Sequence, residues 1–175
     1  MSFQSFLLRF ALVTNLFAQA YSAEPTYTAV DLGTLGGSQA TAIGVNTSGQ
    51  VVGNSLLNGE VAEHPFLWSG GSITDLGTLG GTVGDAFGVN GSGQVVGTAH
   101  IAGNAAFHAF PFSGGAMHDL GTLPGFTNSV GASINDTGQV TGWSYKNGLE
   151  TSHAVLYSGG VITDLGTLGG TTAGV

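Results

Sequence analysis

The stretch Asp-Leu-Gly-Thr-Leu-Gly-Gly at residues 31–37 decides the fold, because the chain repeats it at a nearly constant spacing. It recurs unchanged at 75–81 and 164–170, and once more at 119–125 with Pro124 in place of a glycine. The copies begin 44, 44 and 45 residues apart. Self-similarity at a period of about 20–50 residues is typical of stacked repeats and propellers. A residue present in every copy is therefore expected to build the repeat.

Two further landmarks keep the same period. The phrase Gly-Val-Asn-x-Ser-Gly-Gln-Val-Val-Gly stands at 44–53 and 88–97, with a variant at 133–142. An apolar stretch begins with a His that lies 18 residues after the Asn of this phrase and 11 residues before the next Asp, in all three copies. The extra residue of the third copy falls between Asp119 and Asn135. The only length change between copies is therefore confined to one loop. This is expected of paired strands, because an insertion within a strand would shift its register.

Each period divides into four strand-sized segments separated by turn residues. In the first period these segments are 40–46, 50–56, 64–68 and 72–79, with Asn, Ser and Gly in the turns between them. Thr, Val, Ile and aromatic residues fill the segments, which favours strands. Four antiparallel strands in about 44 residues match the size of one propeller blade. We therefore predict an all-β fold of four-stranded antiparallel repeat units arranged as β-propeller-like blades.

The repeats divide the chain into units of similar length. A lone leading strand at 27–37 precedes repeat 1 (38–81), repeat 2 (82–125) and repeat 3 (126–170), and residues 171–175 would start a truncated fourth copy. A closed ring commonly needs at least four blades. The pattern thus predicts an open three-blade arc, an incomplete propeller whose exposed edges allow association. Alternatively, the chain is a fragment with no independent function.

The N-terminus predicts export. Residues 1–20 hold one Arg, an apolar run and the small-x-small end Ala18-Gln19-Ala20. This is the layout of a secretory signal peptide that is cleaved after Ala20. An N-terminal membrane anchor is the alternative, but the uninterrupted apolar run is too short to span a bilayer comfortably. We therefore expect an extracellular or cell-surface protein whose mature chain has no membrane span.

Charge and composition exclude several classes of partner. The chain has ten Asp and Glu residues against two Lys and Arg, and its formal net charge is −8. Removal of residues 1–20 leaves Lys146 as the single Lys or Arg, so no binding of nucleic acid is expected. The absence of Cys excludes disulfides and thiolate metal sites. No cofactor is predicted.

Taken together, the repeated phrases resemble a known family. Copies of His-Ala-Phe, with Gly-Val-Asn-x-x-Gly-Gln-Val-Val-Gly before and Ser-Gly-Gly and Asp-Leu-Gly-Thr-Leu-Gly-Gly after, are similar to the bacterial HAF repeat family of extracellular repeats. The signature is intact at 108–110 and departs to His-Pro-Phe at 64–66 and to His-Ala-Val at 153–155. The resemblance covers nearly all of the chain after Thr26. It implies an exported, repeat-built protein and brings no enzymatic activity with it.

The repeated polar residues are predicted to be structural. Each Asp stands alone among Leu, Gly and Thr, so capping of a turn is favoured over calcium binding, which needs several oxygen ligands. Each His lies on an apolar strand face, where one buried hydrogen bond to backbone or Asp is favoured over a metal site. No catalytic, cofactor-binding or metal-binding residue is assigned. The structural repeat positions are Asp31, Asp75, Asp119, Asp164, Asn46, Asn90, Asn135, His64, His108 and His153.

Acids outside the repeat pattern are the better candidates for binding a ligand. The chain has no Gly-x-Ser-x-Gly, His-Glu-x-x-His or Gly-x-x-x-x-Gly-Lys motif. Loops in which the copies diverge are where ligand contacts are expected. Glycoside hydrolysis would need two carboxylates about 5–10 Å apart. The possible ligand-loop residues are Glu60, Glu63, Asp85, Asp136 and Glu150.

Two functions from different classes follow from these observations. The leading hypothesis is a non-enzymatic exported repeat scaffold for extracellular binding or adhesion, with a glycan, a surface polymer or a protein as partner. It agrees with the export signal, the repeats and the lack of a catalytic motif. The alternative is a propeller-type enzyme that acts on polysaccharide and uses loop carboxylates as acid and base.

Overall fold

The computed structural model describes residues 26–147 and 151–170, and this part of the chain is built from β-strands. Residues 26–30 belong to a separate unit and carry no strand. One short 3-10 turn, Ala102–Asn104, lies between two strands. The strands are β1 (Gly36–Val45), β2 (Val51–Leu57), β3 (Glu63–Ser69), β4 (Ser72–Asp75), β5 (Gly80–Val89), β6 (Val95–Ile101), β7 (Phe107–Ser113), β8 (Ala116–Met117), β9 (Asn128–Ile134), β10 (Val140–Tyr145), β11 (Ser152–Ser158) and β12 (Val161–Gly166).

The strands form three antiparallel meanders of four consecutive strands. The first meander is β1–β4, the second is β5–β8 and the third is β9–β12. A parallel bridge between Glu63 and Val83 joins the first two into one eight-stranded sheet, and the third is a separate four-stranded sheet. Neither sheet closes on itself within the described residues. The predicted all-β fold of antiparallel strands is therefore confirmed.

The repeated Asn-x-x-Gly turn connects the first strand of each meander to the second. In the first meander, the side-chain oxygen of Asn46 accepts the backbone N–H groups of Ser48 and Gln50. Gly49 has a left-handed φ of 74°, and its N–H donates to the Asn46 carbonyl. An Asn that bonds its own turn, followed by a left-handed Gly, is well suited to a tight hairpin.

The last glycine of the same phrase is required by a close approach between strands. A Cβ atom on Gly53 would stand 1.8 Å from the carbonyl oxygen of Thr41 on the neighbouring strand. Gly97 and Gly142 meet the same obstruction at 1.9 Å and 1.8 Å. Because each lies beside a shift in strand register, the phrase specifies a β-bulge as well as a turn.

Buried apolar side chains lie mainly between consecutive meanders. We call the contact between the first and second meanders the first interface, and that between the second and third the second interface. The first interface contains Val52, Leu76, Ala86, Val95, Ala99 and Phe110. The second interface contains Val96, Ala109, Leu123, Val140, Val155 and Tyr157. Leu76 and Leu123 belong to the copies of the repeated phrase at 75–81 and 119–125, so the phrase itself supplies part of the core.

The predicted leading strand at 27–37 is wrong. Residues 26–34 carry no strand, and Leu35 makes only an isolated bridge to Leu57. Gly33 has a left-handed φ of 77°, which interrupts an extended chain. The two glycines that end the phrase therefore begin β1.

The predicted fourth strand at 72–79 is too long, because β4 ends at Asp75. The Asp75 carboxylate accepts the N–H of Gly77 at 2.8 Å, and Gly77 has a left-handed φ of 72°. This tight turn ends β4, so the copy of the phrase at 75–81 links the first two meanders. The predicted boundary after residue 81 falls inside β5.

Some predictions lie outside the described residues. These are the signal peptide at 1–20, the truncated fourth copy at 171–175 and the loop residue Glu150. Among the residues that the structure does describe, no helix has both the length and the apolar character needed to cross a membrane.

Candidate functional site

The repeated His and the repeated Asp form one pair in each meander. The His lies on the third strand, and the Asp lies on the fourth strand or just after it. Because these strands run antiparallel, the 11-residue spacing brings the two side chains together. The three pairs, each with Nδ1 2.9 Å from a carboxylate oxygen, are His64–Asp75, His108–Asp119 and His153–Asp164.

The same carboxylates also hold the turns that follow them. Each accepts the backbone N–H of the glycine two residues later, at 2.7–2.8 Å. Asp31 makes the same bond to Gly33 at 2.9 Å. In the third meander, the hydrogen bond from His153, together with the N–H of Gly166, lowers the pKa of Asp164 below its usual value. The bonded carboxylate is therefore favoured in its charged form.

The repeated Asn residues connect one meander to the next. Nδ2 of Asn46 donates to the backbone carbonyl of Asn90 at 2.8 Å, and Nδ2 of Asn90 donates to the carbonyl of Asn135 at 3.0 Å. Each Nδ2 also contacts the side chain of the Gln four residues later. Asn90, in the middle, is only 4% exposed. We call this run of hydrogen bonds across both interfaces the Asn ladder.

Two of the five loop acids meet at the first interface. Nδ2 of Asn54 on β2 contacts the carboxylates of Glu63 on β3 and Asp85 on β5, with 2.8 Å to Asp85. Carboxylates that contact one nitrogen lie within two hydrogen-bond lengths of each other. This arrangement is closer to the separation of about 5–5.5 Å in retaining glycosidases than to the wider one in inverting enzymes. We call these three residues the carboxylate cluster.

Burial and charge alter the chemistry of this cluster. Loss of contact with solvent raises the pKa of Asp85, and the charge of Glu63 raises it further. The Oδ1 atom of Asn54 is buried and has no hydrogen-bond partner. A carboxyl group with a raised pKa beside a second carboxylate can hold a proton that it later donates, which is the role of a general acid.

Of the other loop acids, the two that the structure describes do not join the carboxylate cluster. The Glu60 carboxylate accepts the backbone N–H of Ser38 at 2.8 Å and its hydroxyl at 3.0 Å. Asp136 accepts the backbone N–H of Gly91 at 2.8 Å across the second interface. Within the described ranges, no group of three or more His, Asp or Glu side chains is placed to hold a metal ion.

A cavity of about 200 Å³ opens at the second interface. Pro111, Asp119 and Leu120 line one side, and Tyr157 and Ile162 line the other. Burial raises the pKa of Tyr157, so its hydroxyl stays protonated and donates to a backbone carbonyl at 3.2 Å. The volume is below the range of about 300–1,000 Å³ that is typical of small-molecule sites. The cavity is therefore a weaker candidate than the carboxylate cluster.

Sequence reasoning missed Asn54, the residue that joins the two carboxylates. The corresponding positions on β6 and β10 are Thr98 and Trp143. This departure from the repeat was a usable signal, because an amide replaces a hydroxyl or an aromatic ring at the same place in the second strand of each copy. The cavity residue Tyr157 was also missed as a site residue, since its place on the third strand of the repeat indicates only a core residue.

No family model, no curated protein and no solved structure matches the chain.

Proposed function

We propose that the chain is an exported, non-enzymatic repeat scaffold that binds an extracellular glycan, a surface polymer or a protein. In this proposal the three meanders are the blades of an open propeller arc. The resemblance to the HAF repeat family and the signal-peptide pattern at 1–20 support the export and the architecture. Repeat arrays of this kind offer extended surfaces for binding partners.

One observation carries the proposal. The polar residues that recur in every copy bond to one another, in the three His–Asp pairs and in the Asn ladder. A side chain whose donors and acceptors are used in this way holds the array together. The positions that differ between copies are therefore the ones free to recognise a ligand.

Charge narrows the class of ligand. The chain carries a formal net charge of −8. Lys146, the single Lys or Arg of the described residues, lies 5.7 Å from the centre of the Phe126 ring. An acidic surface repels anionic polymers, so a neutral glycan or a basic protein surface is the expected partner.

The binding proposal is tested with the purified full chain after removal of residues 1–20. The chain is incubated with intact bacterial cells, a neutral and an anionic glycan panel, and basic and acidic proteins. We expect saturable retention on a neutral glycan or a basic surface, and none by a heat-denatured sample. Failure to bind any of these surfaces would count against the scaffold function.

Export has its own test. Expression in a bacterium with a C-terminal tag should place the chain outside the cytoplasm, with Tyr21 as the new N-terminal residue. Ala20→Arg should block cleavage, because the site requires a small side chain there, whereas Gln19→Arg should be tolerated. An uncleaved chain that stays in the cytoplasm would contradict the proposal.

The carboxylate cluster supports a second candidate, a polysaccharide hydrolase of the retaining type. Here Asp85, with its raised pKa, would be the acid and Glu63 the nucleophile. New reducing ends are measured on a polysaccharide panel with the wild type, Glu63→Gln and Asp85→Asn. Glu60→Gln and Asp136→Asn are matched controls, because these acids lie outside the cluster. Turnover lost only in the first two variants would favour the enzyme, and no turnover by the wild type would eliminate it.

A further inference from the structure

The first and third meanders each have an exposed apolar surface. The equivalent surface of another meander is buried against its neighbour. Within the chain, the first strand of one meander packs against the preceding meander: β5 against the first, and β9 against the second. We call the outer side of β1 the head face. We call the surface of the third meander that corresponds to the β5-binding and β9-binding surfaces the tail face.

The head face carries apolar side chains that are buried in the second meander. Ala42 and Val45 on β1 are exposed, and Val45 is 68% exposed. Their counterparts on β5 are Ala86 and Val89. Ala86 is 0% exposed in the first interface, and Val89 packs against the same cluster. The head face therefore has the composition of an interface without a described neighbour.

The tail face shows the same contrast between buried and exposed copies, here in the leucines of the repeated phrase. Leu76 is 6% exposed in the first interface and Leu123 is 5% exposed in the second. Their counterparts in the last copy of the phrase are Leu165 and Leu168. Leu165 is 58% exposed and Leu168 is fully exposed. These leucines are covered wherever another meander follows and uncovered in the third.

The Asn ladder also stops at the tail face. Asn46 and Asn90 each donate to the backbone carbonyl of the next Asn, whereas the described donation from Asn135 is to Gln139 within its own turn. Asn135 is exposed. If the turn after β1 of a second copy lay beside Asn135, its Asn46 carbonyl could accept the next hydrogen bond of the ladder from Nδ2 of Asn135.

We propose that the tail face of one copy of this chain binds the head face of a second copy. The contact repeats the one that joins consecutive meanders within the chain, so its complementarity is already present twice in the same molecule. Such a contact is heterologous, because two different surfaces of the protein meet. It does not depend on the ligand bound by the scaffold.

Charge predicts how this association responds to salt. Two copies that each carry a formal net charge of −8 repel one another. The apolar part of the proposed contact is made by Val45, Leu165 and Leu168, and burial of apolar surface does not depend on charge. Screening of the repulsion should therefore strengthen association as the salt concentration rises.

The first test is the mass of the protein in solution over a range of concentrations, by analytical ultracentrifugation. We expect assembly that increases with concentration and with salt. Val45→Lys and Leu168→Lys should each weaken it by about tenfold or more, because a charge would be buried at the contact. Val61→Lys, at an 81% exposed position in the loop between β2 and β3, is the matched control and should assemble like the wild type. Circular dichroism checks that all variants fold.

The second test uses the absence of Cys from the chain. Asp136 bonds Gly91 of the preceding meander. In the proposed contact, Asp136 of one copy takes the place of Gly91, and Thr47 of the second copy takes the place of Asp136. A mixture of Thr47→Cys and Asp136→Cys chains should therefore form a mixed disulfide dimer under mild oxidation. Each variant alone should form far less covalent dimer.

Three outcomes would overturn the inference. The first is a single-chain mass at every concentration and salt condition. The second is assembly that neither Val45→Lys nor Leu168→Lys weakens. The third is efficient disulfide formation by either Cys variant alone, which would indicate a symmetric contact. The binding assay, repeated with a monomeric Val45→Lys chain, separates a failure of association from a failure of the scaffold function.

Discussion

The first and second interfaces share one backbone plan but carry different side chains. Both contain a fully buried valine, Val52 or Val96, and both are crossed by the Asn ladder. The first also contains the polar carboxylate cluster. At the second, Thr98 replaces Asn54, and its hydroxyl donates to the backbone carbonyl of Ser129 at 2.9 Å.

This difference shows which parts of the repeat are free to change. The positions that correspond to Glu63 and Asp85 in the next copies are Phe107 and Val130, which are apolar. A pair of carboxylates has thus replaced an apolar pair without displacing the buried valine beside it. The recurring residues fix the strand register. The positions that differ between copies can carry polar or charged side chains without changing that register.

The largest expected loss of stability comes from shortening a buried apolar side chain, and it should differ between the two interfaces. Phe110 in the first and Val155 in the second occupy the same place in the repeat, and both are 0% exposed. Phe110→Ala should lower the free energy of unfolding by about 3–5 kcal/mol, and Val155→Ala by about 2 kcal/mol, because the ring leaves the larger cavity. Urea denaturation measures both. Equal losses would show that the two cores do not differ in packing.

The next largest loss of stability comes from removing an Asn of the ladder, and it should depend on the position of that Asn. Asn90→Ala should lower the free energy of unfolding by about 2 kcal/mol, since it removes the bond to the next meander and leaves the partly buried N–H groups of Ser92 and Gln94 without their acceptor. Asn135→Ala should lower it by about 0.5–1 kcal/mol, because water can replace the lost bonds at an exposed turn. The same denaturation experiment tests this order, and a larger loss for Asn135 would contradict the ladder.

A smaller effect concerns the pH dependence of the carboxylate cluster. The raised pKa of Asp85 means that the folded chain holds this proton more tightly than the unfolded chain does. Its contribution to stability is present below the unfolded pKa of about 3.9 and is lost as the pH rises through the raised value. Asp85→Asn should therefore raise Tm at pH about 7, and the gain should shrink on acidification.

Glu63→Gln is the matched comparison for Asp85→Asn. It removes the neighbouring charge, which is the smaller cause of the raised pKa, and leaves the burial of Asp85 unchanged. Part of the gain in Tm should therefore appear in this variant. A fall in Tm at neutral pH for Asp85→Asn would show that its hydrogen bond to Asn54 outweighs the burial of its charge.

The smallest expected effect is the pH dependence of stability that comes from the repeated carboxylate Asp164. Its sign is opposite to that for Asp85. The pKa of Asp164 is lowered, chiefly by its hydrogen bond to His153. Its contribution is present above the unfolded pKa of about 3.9 and is lost as the pH falls through the lowered value. Asp164→Asn should lower Tm slightly at neutral pH, with the difference disappearing in acid. Thermal melts over the same pH series as for Asp85 would compare the two signs directly.

Local features of the fold were predictable because they depend on residues close in sequence. The Asn-x-x-Gly turns and the Asp–Gly turns are made by side chains that bond backbone groups two to four residues away. The ends of the strands were less predictable. Whether Gly77 continues a strand or leaves it depends on its φ angle, and glycine can adopt both conformations.

The candidate site was only partly predictable. Glu63 and Asp85 were recognisable as acids outside the repeat pattern, but they are 22 residues apart and lie on strands of different meanders. Their proximity depends on how β5 packs against β2 and β3, which no local spacing encodes. The departure of Asn54 from the repeat marked its position, but only that packing places its amide between the two carboxylates.

The sequence by itself determined the period and the turns, because these result from short-range bonding repeated every 44 or 45 residues. It left the partner of each His open between the backbone and an Asp. The tertiary structure alone decided which faces of the meanders are covered. A leucine of the repeated phrase is buried or exposed according to whether another meander packs on it, as Leu76 and Leu165 show. The physical reason is that hydrophobic burial is a property of neighbours in space, and identical copies of a phrase do not have identical neighbours.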